Sequence, residues 1–253
     1  MTHDDREDRR EAVATLLDST WTLFDDAQKY LDPSYEGSAP PDFSQRVMEL
    51  VPNAQQEAAS LLERSTLAQI AGMVRTCDRC PLHATRRNAV PGEGKPNARL
   101  MVIGEGPGAD EDASGRPFVG RAGKYLDAWL QAINLDRVND VFIGNVVKCR
   151  PPENRDPYPE EAASCIPFLT RQIALVKPDA ILCVGKVAAH HLLQRDDALR
   201  AMRSTVHRFA GIPVVVTYHP AAVLRNLQLR APVWEDLKRV AQLIGVPVNR
   251  SGR

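Results

Sequence analysis

No run of apolar residues in this chain approaches the length needed to cross a bilayer. The longest, such as Ala180-Ile181-Leu182-Cys183-Val184, are strand-sized, against the roughly 20 residues of a spanning helix. The start, Met1-Thr2-His3-Asp4-Asp5-Arg6, lacks a basic head followed by an apolar stretch, so a secretory signal is not expected. No membrane is therefore expected among the partners, and a cytoplasmic or nucleoid location is expected. Thiols stay reduced there, so the five cysteines are read as metal ligands or core residues and not as disulfides. There is no internal repeat, which excludes a solenoid. Neither the G-x-G-x-x-G fingerprint nor the Walker pattern occurs, so neither common phosphate cradle is indicated.

Net charge is also missing: 32 Lys/Arg balance 32 Asp/Glu. The balance conceals an asymmetry. Residues 1–56 hold 12 Asp/Glu and 5 Lys/Arg, a net of −7, and the remainder carries +7. A basic body suits a polyanionic partner, and an acidic extension of this kind is suited either to lie over a basic groove or to recruit a protein such as a sliding clamp.

What is present divides the chain into an N-terminal extension (1–56), a main domain (57–246) and a short tail (247–253). Apolar spacing predicts a helix over 6–31, and the turn-forming, proline-rich stretch 32–41 reads as a linker. A second helix is expected over 54–74. Beyond it, four apolar runs (Ala98–Ile103, Val141–Val147, Ala180–Val184, Val214–Thr217) alternate with helical stretches at Ala122–Ile133, Glu160–Val176, Lys186–Leu193 and Pro232–Leu243. Strands alternating with helices predict an α/β fold of three layers around a four-stranded, mainly parallel sheet.

Ligands of such sheets sit beyond the carboxyl ends of the strands. The first run is followed by Gly104-Glu105-Gly106-Pro107-Gly108, the second contains Asn145, and the fourth leads to Tyr218-His219-Pro220. A glycine-rich loop, an amide and an imidazole are thus expected to converge on one edge. The remaining histidines have no comparable placement. Phe118, bounded by glycine and proline, is suited to present a flat ring for stacking. Cys77 and Cys80 form C-x2-C, and Cys149 and Cys165 form C-x15-C. Two thiols on a tight turn and two from distant segments suit one four-cysteine site, for zinc or for an iron–sulfur cube. Cys183, inside an apolar run, reads as core.

These segments resemble the family-4 uracil-DNA glycosylases. The resemblance rests on Gly104–Gly108 with Gly115–Gly123, on Asn145-Val146-Val147-Lys148-Cys149-Arg150-Pro151-Pro152, and on His219-Pro220-Ala221-Ala222-Val223-Leu224-Arg225-Asn226. It extends from about Leu67 to Leu243. It implies a monomer that acts on uracil-containing DNA, single- or double-stranded, releasing uracil and leaving an abasic site. It implies a [4Fe–4S] cluster on Cys77, Cys80, Cys149 and Cys165 that fastens two chain segments. Phe118 would stack on the extruded uracil, Asn145 would read its Watson–Crick edge, and His219 would stabilise O2 as charge develops. Glu105, Gly106 and Pro107 would line the base pocket. Leu224 would enter the DNA as a wedge, with Arg225 and Arg230 on phosphates. The general base stays open among Glu105, Asp110 and Glu111. Leu227 stands where relatives often carry proline. A covalently trapping relative has a basic insertion in place of Pro151–Pro157, so turnover is expected. The other readings are a broader, family-5-like glycosylase for deaminated bases and a non-catalytic iron–sulfur DNA-binding module.

Overall fold

The computed structural model describes residues 60–248. The helix expected over 6–31, the linker over 32–41 and the last residues of the tail lie outside the described residues.

Six strands build one sheet: β1 (Glu93–Gly94), β2 (Leu100–Gly104), β3 (Val141–Asn145), β4 (Ala180–Val184), β5 (His207–Phe209) and β6 (Ile212–Thr217), in the order β1-β3-β2-β4-β6-β5. The four expected strands form its centre and are parallel. The sheet is wider than expected and mixed, because β1 and β5 add antiparallel edges. Two- and three-residue strands are too short to carry a readable period.

Eight helices lie wholly within the described residues, after a helical stretch over 60–64: α1 (Leu67–Thr76), α2 (Ala109–Ser114), α3 (Arg121–Ala132), α4 (Pro159–Val176), α5 (Lys186–Leu193), α6 (Leu199–Arg203), α7 (Pro220–Arg225) and α8 (Arg230–Leu243). The expectation of one helix through 54–74 fails at Ser65–Thr66. There Thr66 caps α1: its hydroxyl accepts from the Gln69 N–H, and the Gln69 side chain accepts from the Thr66 N–H. This reciprocal cap is a start signal that sequence periodicity alone overrides.

Strand residues alternate between two cores. Met101, Ile103, Ile181, Cys183, Val214 and Val216 face one side, where they meet Ile70 and Val74 of α1, Phe168 and Leu169 of α4, and Ala188 of α5. Leu100, Val102, Leu182, Val184 and Val215 face the other, against Leu126 and Trp129 of α3 and Leu237 and Val240 of α8. Both faces of the central strands are covered, which is why their sequences are continuously apolar. Each such aliphatic side chain contributes roughly 1.5–3 kcal/mol on burial. Among the four parallel strands the chain starts at β2, in the middle of the sheet, and adds β3 on one side and β4 and then β6 on the other. The crevice at the carboxyl ends near that reversal is where a ligand fits.

Candidate active site

A cleft of about 410 Å³ opens at this edge. Glu105, Gly106 and Pro107 reach it from the loop after β2, Asn145 from the end of β3, His219 from the end of β6, and Phe118 from the segment before α3. All six residues assigned to the base pocket therefore line one space.

Its floor depends on a missing side chain. A Cβ on Gly104 would lie 2.4 Å from Asn145 Oδ1 and 2.6 Å from Phe118 Cζ. Only glycine lets the amide and the ring close over the strand end. Phe118 has φ +51, a left-handed conformation that a bulky residue adopts only when its surroundings impose it. Three neighbours do so. Arg137 donates to the carbonyls of Phe118 and Pro117. Glu111 accepts from the N–H groups of Val119 and Gly120 at 2.8 and 3.0 Å. Gly123 leaves room for the Phe118 carbonyl, which a Cβ would strike.

Asn145 is almost wholly buried, and its Oδ1 has no hydrogen-bond partner. Among the described residues it is the one buried side-chain nitrogen or oxygen in that state. An unpaired buried acceptor costs about 1–3 kcal/mol, so a fold retains it where a ligand donor completes it.

His219 caps α7. Its Nδ1 accepts from the Ala221 N–H at 3.2 Å, which leaves the proton on Nε2. Burial, and then the charge of Arg225, lower its pKa to about 4. The ring is a neutral donor at physiological pH, 5.7 Å from the Phe118 ring, centroid to centroid.

The three carboxylates considered as general base separate clearly. Glu111 also accepts from the Gly108 N–H, so it braces three backbone amides. Asp110 is exposed and does not line the cleft. Glu105 lines it, and burial, followed by the charge of Asp156, raises its pKa to about 7. That value suits a group that takes a proton near neutrality.

The four cysteines meet in a second cavity. Cys77 closes α1, and Cys80 starts the 3₁₀ turn Pro81–Ala84. Cys149 follows β3, and Cys165 projects from α4. Arg79, Arg86 and Lys148 line the same cavity, and no carboxylate does. Arg86 donates to Cys149 Sγ at 3.0 Å and to the carbonyls of Cys77 and Arg75. Burial raises the pKa of Cys80 and Cys149, and that of Cys165 to about 12. Among the described residues no three side chains are spaced to hold a single metal ion. Four thiols with cations around them suit a larger group that is anionic once the thiols ionise. Cys183 is buried in the core, as expected.

Residues 91–238 match the family model for the uracil DNA glycosylase superfamily. The chain is 45% identical to a type-4 uracil-DNA glycosylase of Pyrobaculum aerophilum over 179 residues, 68% of this chain and 91% of that one. It is 41% identical to the type-4 enzyme of Archaeoglobus fulgidus over 191 residues, 71% and 94% of the two chains. A type-5 uracil-DNA glycosylase of Pyrobaculum aerophilum is 30% identical over 182 residues, 59% and 80%. The chain belongs to the type-4 uracil-DNA glycosylases.

Within this glycosylase cleft the sequence reading overlooked several parts. Asn154 and Arg155 also line it. Arg155 pairs with both oxygens of Glu161 at 2.7 and 2.8 Å and stacks on Tyr158, fixing the loop at the cleft's edge. Arg137 holds the Phe118 carbonyl and is 19 residues distant from it; a lone arginine after a helix carries no such signal. Of the residues assigned to DNA, Arg225 lines the cleft, whereas Leu224 and Arg230 do not. Leu224 is half-buried in α7, and Leu227, 54% exposed on the following turn, is the more prominent apolar side chain there.

Proposed function

We propose that this type-4 uracil-DNA glycosylase hydrolyses the N-glycosidic bond of deoxyuridine through the residues of the cleft, leaving an abasic site for base excision repair. The observation that carries the reading is the unpartnered, buried Oδ1 of Asn145. A flipped-out uracil completes it: N3–H donates to Oδ1, while the Asn145 amide NH2 donates to O4. Cytosine offers the reverse pattern and leaves buried polar groups unpaired. Phe118 stacks on the base. As the bond breaks, charge gathers on the uracil O2, and the His219 Nε2–H is available to hold it. Glu105 accepts a proton from the water that attacks the sugar carbon, and uracil departs as the anion.

Cys77, Cys80, Cys149 and Cys165 would hold a [4Fe–4S] cluster, which when bound joins the α1 end to the β3 end and α4. Arg225 and Arg230 meet DNA phosphates, and an apolar side chain of the 221–230 segment enters the stack. The enzyme works as a monomer in the cytoplasm, its acidic segment 1–56 serving as a separate extension that covers the basic groove or recruits a protein, and it turns over without a covalent product.

An oligonucleotide containing one uracil, treated with the protein and then alkali, tests this: strand cleavage at uracil is expected. Hypoxanthine or xanthine duplexes cut as well as uracil would favour the broader type-5 activity, and binding without cleavage would leave a DNA-binding protein only. Uracil release that is as fast in a chain lacking residues 1–56, at low salt, would remove the covering role from the acidic segment.

A further inference from the structure

Lys148 is among the largest fully buried side chains of the protein. It lines the cysteine cavity and reaches the backbone of Asn145, a residue that lines the cleft. Nζ donates to the Asn145 carbonyl and to Gln172 Oε1, both at 2.8 Å, and both acceptors are neutral. The chain of contacts continues: Gln172 Nε2 donates to the Pro91 carbonyl, and Val90 N–H donates to the Lys148 carbonyl. Lys148 shares the cysteine cavity with Cys149 and Cys165. Gln172 and Cys165 lie two turns apart on the buried face of α4.

A buried cation is stable where an opposite charge compensates it. No carboxylate faces the cavity that Lys148 lines. Four ionised thiols around a [4Fe–4S] core leave a net negative charge, and it would fall beside this ammonium. Resting on the reading of the cleft and the cysteine site given above, we propose that Lys148 is a positioning residue: compensated by the group the cysteines bind, it seats the Asn145 backbone so that the base-reading amide is held in register. Cluster occupancy and base recognition are thereby coupled across the four-residue step from Asn145 to Cys149, and such coupling acts in both directions.

The test compares holoenzymes of wild type, Lys148→Met and the double variant Lys148→Met/Gln172→Leu, with Asn145→Asp as control. The double variant removes both partners of the buried contact, which lowers the cost to folding. Three readouts are taken on iron-loaded protein: the rate at which absorbance near 400 nm is lost to a chelator, the affinity for free uracil followed by NMR titration, and the split of kcat against KM. The expected result is bleaching at least threefold faster, uracil binding at least fivefold weaker, and kcat about tenfold lower with KM for DNA within twofold of wild type. If Lys148→Met fails to load iron, the double variant is read in its place; failure of both to load while they remain folded also meets the expectation. Bleaching and uracil affinity both within twofold of wild type would overturn the proposal, as would a fall in kcat matched by an equal rise in KM. A colourless wild type, or an Asn145→Asp variant with full turnover, would instead overturn the underlying reading of the two cavities.

Discussion

The cleft and the cysteine cavity both draw on the end of β3, through Asn145 and Cys149, yet they treat polar groups in opposite ways. In the cleft, groups are left incomplete. Asn145 keeps an acceptor without a donor, Glu105 is buried until it holds its proton near neutrality, and His219 is kept neutral. In the cavity, groups are gathered so that a bound anionic group would compensate them: four thiols face Arg79, Arg86 and Lys148. The lesson is that unmet demand marks the place where chemistry happens, and met demand marks the place where chain segments are joined. Binding energy for a base comes from the first kind of site. Folding energy comes from the second.

The sharpest way to break this contrast is to remove the incomplete groups. Asn145→Asp keeps an acceptor but removes the donor to O4, and should lower single-turnover uracil release by about 10³-fold or more. His219→Ala should cost about 10²–10³-fold. Rapid-quench assays on a uracil oligonucleotide check both, and wild-type rates in both variants would place the chemistry elsewhere.

Next in size is Glu105→Gln, with an expected loss of about 10²-fold. With Glu105 as the proposed base, its ionised carboxylate is the working form, and kcat/KM of wild type should rise as pH passes through about 7 and then level off. His219, with its pKa near 4, should add no step between pH 5 and 9. The stability trend has the opposite sign. The folded-state pKa of Glu105 lies above its unfolded value, so its contribution is full below the unfolded value and is lost as pH rises through about 7. Glu105→Gln should therefore stabilise the protein at pH 8 by about 1 kcal/mol, after allowance for partial solvent exposure. Denaturant titrations at pH 5 and pH 8 separate the two effects: a variant no more stable at pH 8 than wild type would remove Glu105 from the list of incomplete groups.

A smaller effect distinguishes the apolar side chains of the turn. Leu227→Ala should slow release from duplex DNA by roughly three- to tenfold, with little change on single strands, because unstacking costs only a few kcal/mol. Leu224→Ala should act mainly by loosening the packing of α7, visible as a lower Tm. A duplex-specific defect in Leu224→Ala alone would return the wedge to that residue. Smallest of all, on the compensated side, is Arg86→Gln. It should leave uracil release within about twofold while hastening loss of the 400 nm absorbance, since one charge-assisted contact to sulfur is removed. An activity loss as large as that of Glu105→Gln would mean that the two cavities do not differ in kind.

Much of this layout could be read before any coordinates. The central strands are fully buried on both faces, so their apolar runs stand out, and the rule that ligands gather at carboxyl ends led directly to Glu105, Asn145 and His219. Cys77 and Cys80 were legible because thiols flanking Asp78 and Arg79 on a turn are poor core residues. Other parts were not legible, since their meaning lies in a partner distant along the chain. Glu111 looked like a candidate base until Val119 and Gly120 were seen to occupy it. Arg137 is defined by the Phe118 carbonyl, and Lys148 by Gln172 on α4. The broken helix at Thr66 is a different case. Its cap was written in the local sequence, but a continuous apolar period masked it.

Gly104 has a consequence for how this site can change. One added methyl group would press on the Asn145 amide, proposed to read the base, and on the Phe118 ring, proposed to support it, at the same moment. Altered specificity therefore cannot be reached by widening one wall of the pocket while the other stays still. Any route from this strand end to a different base has to move a polar reader and an aromatic support together, or leave that glycine untouched.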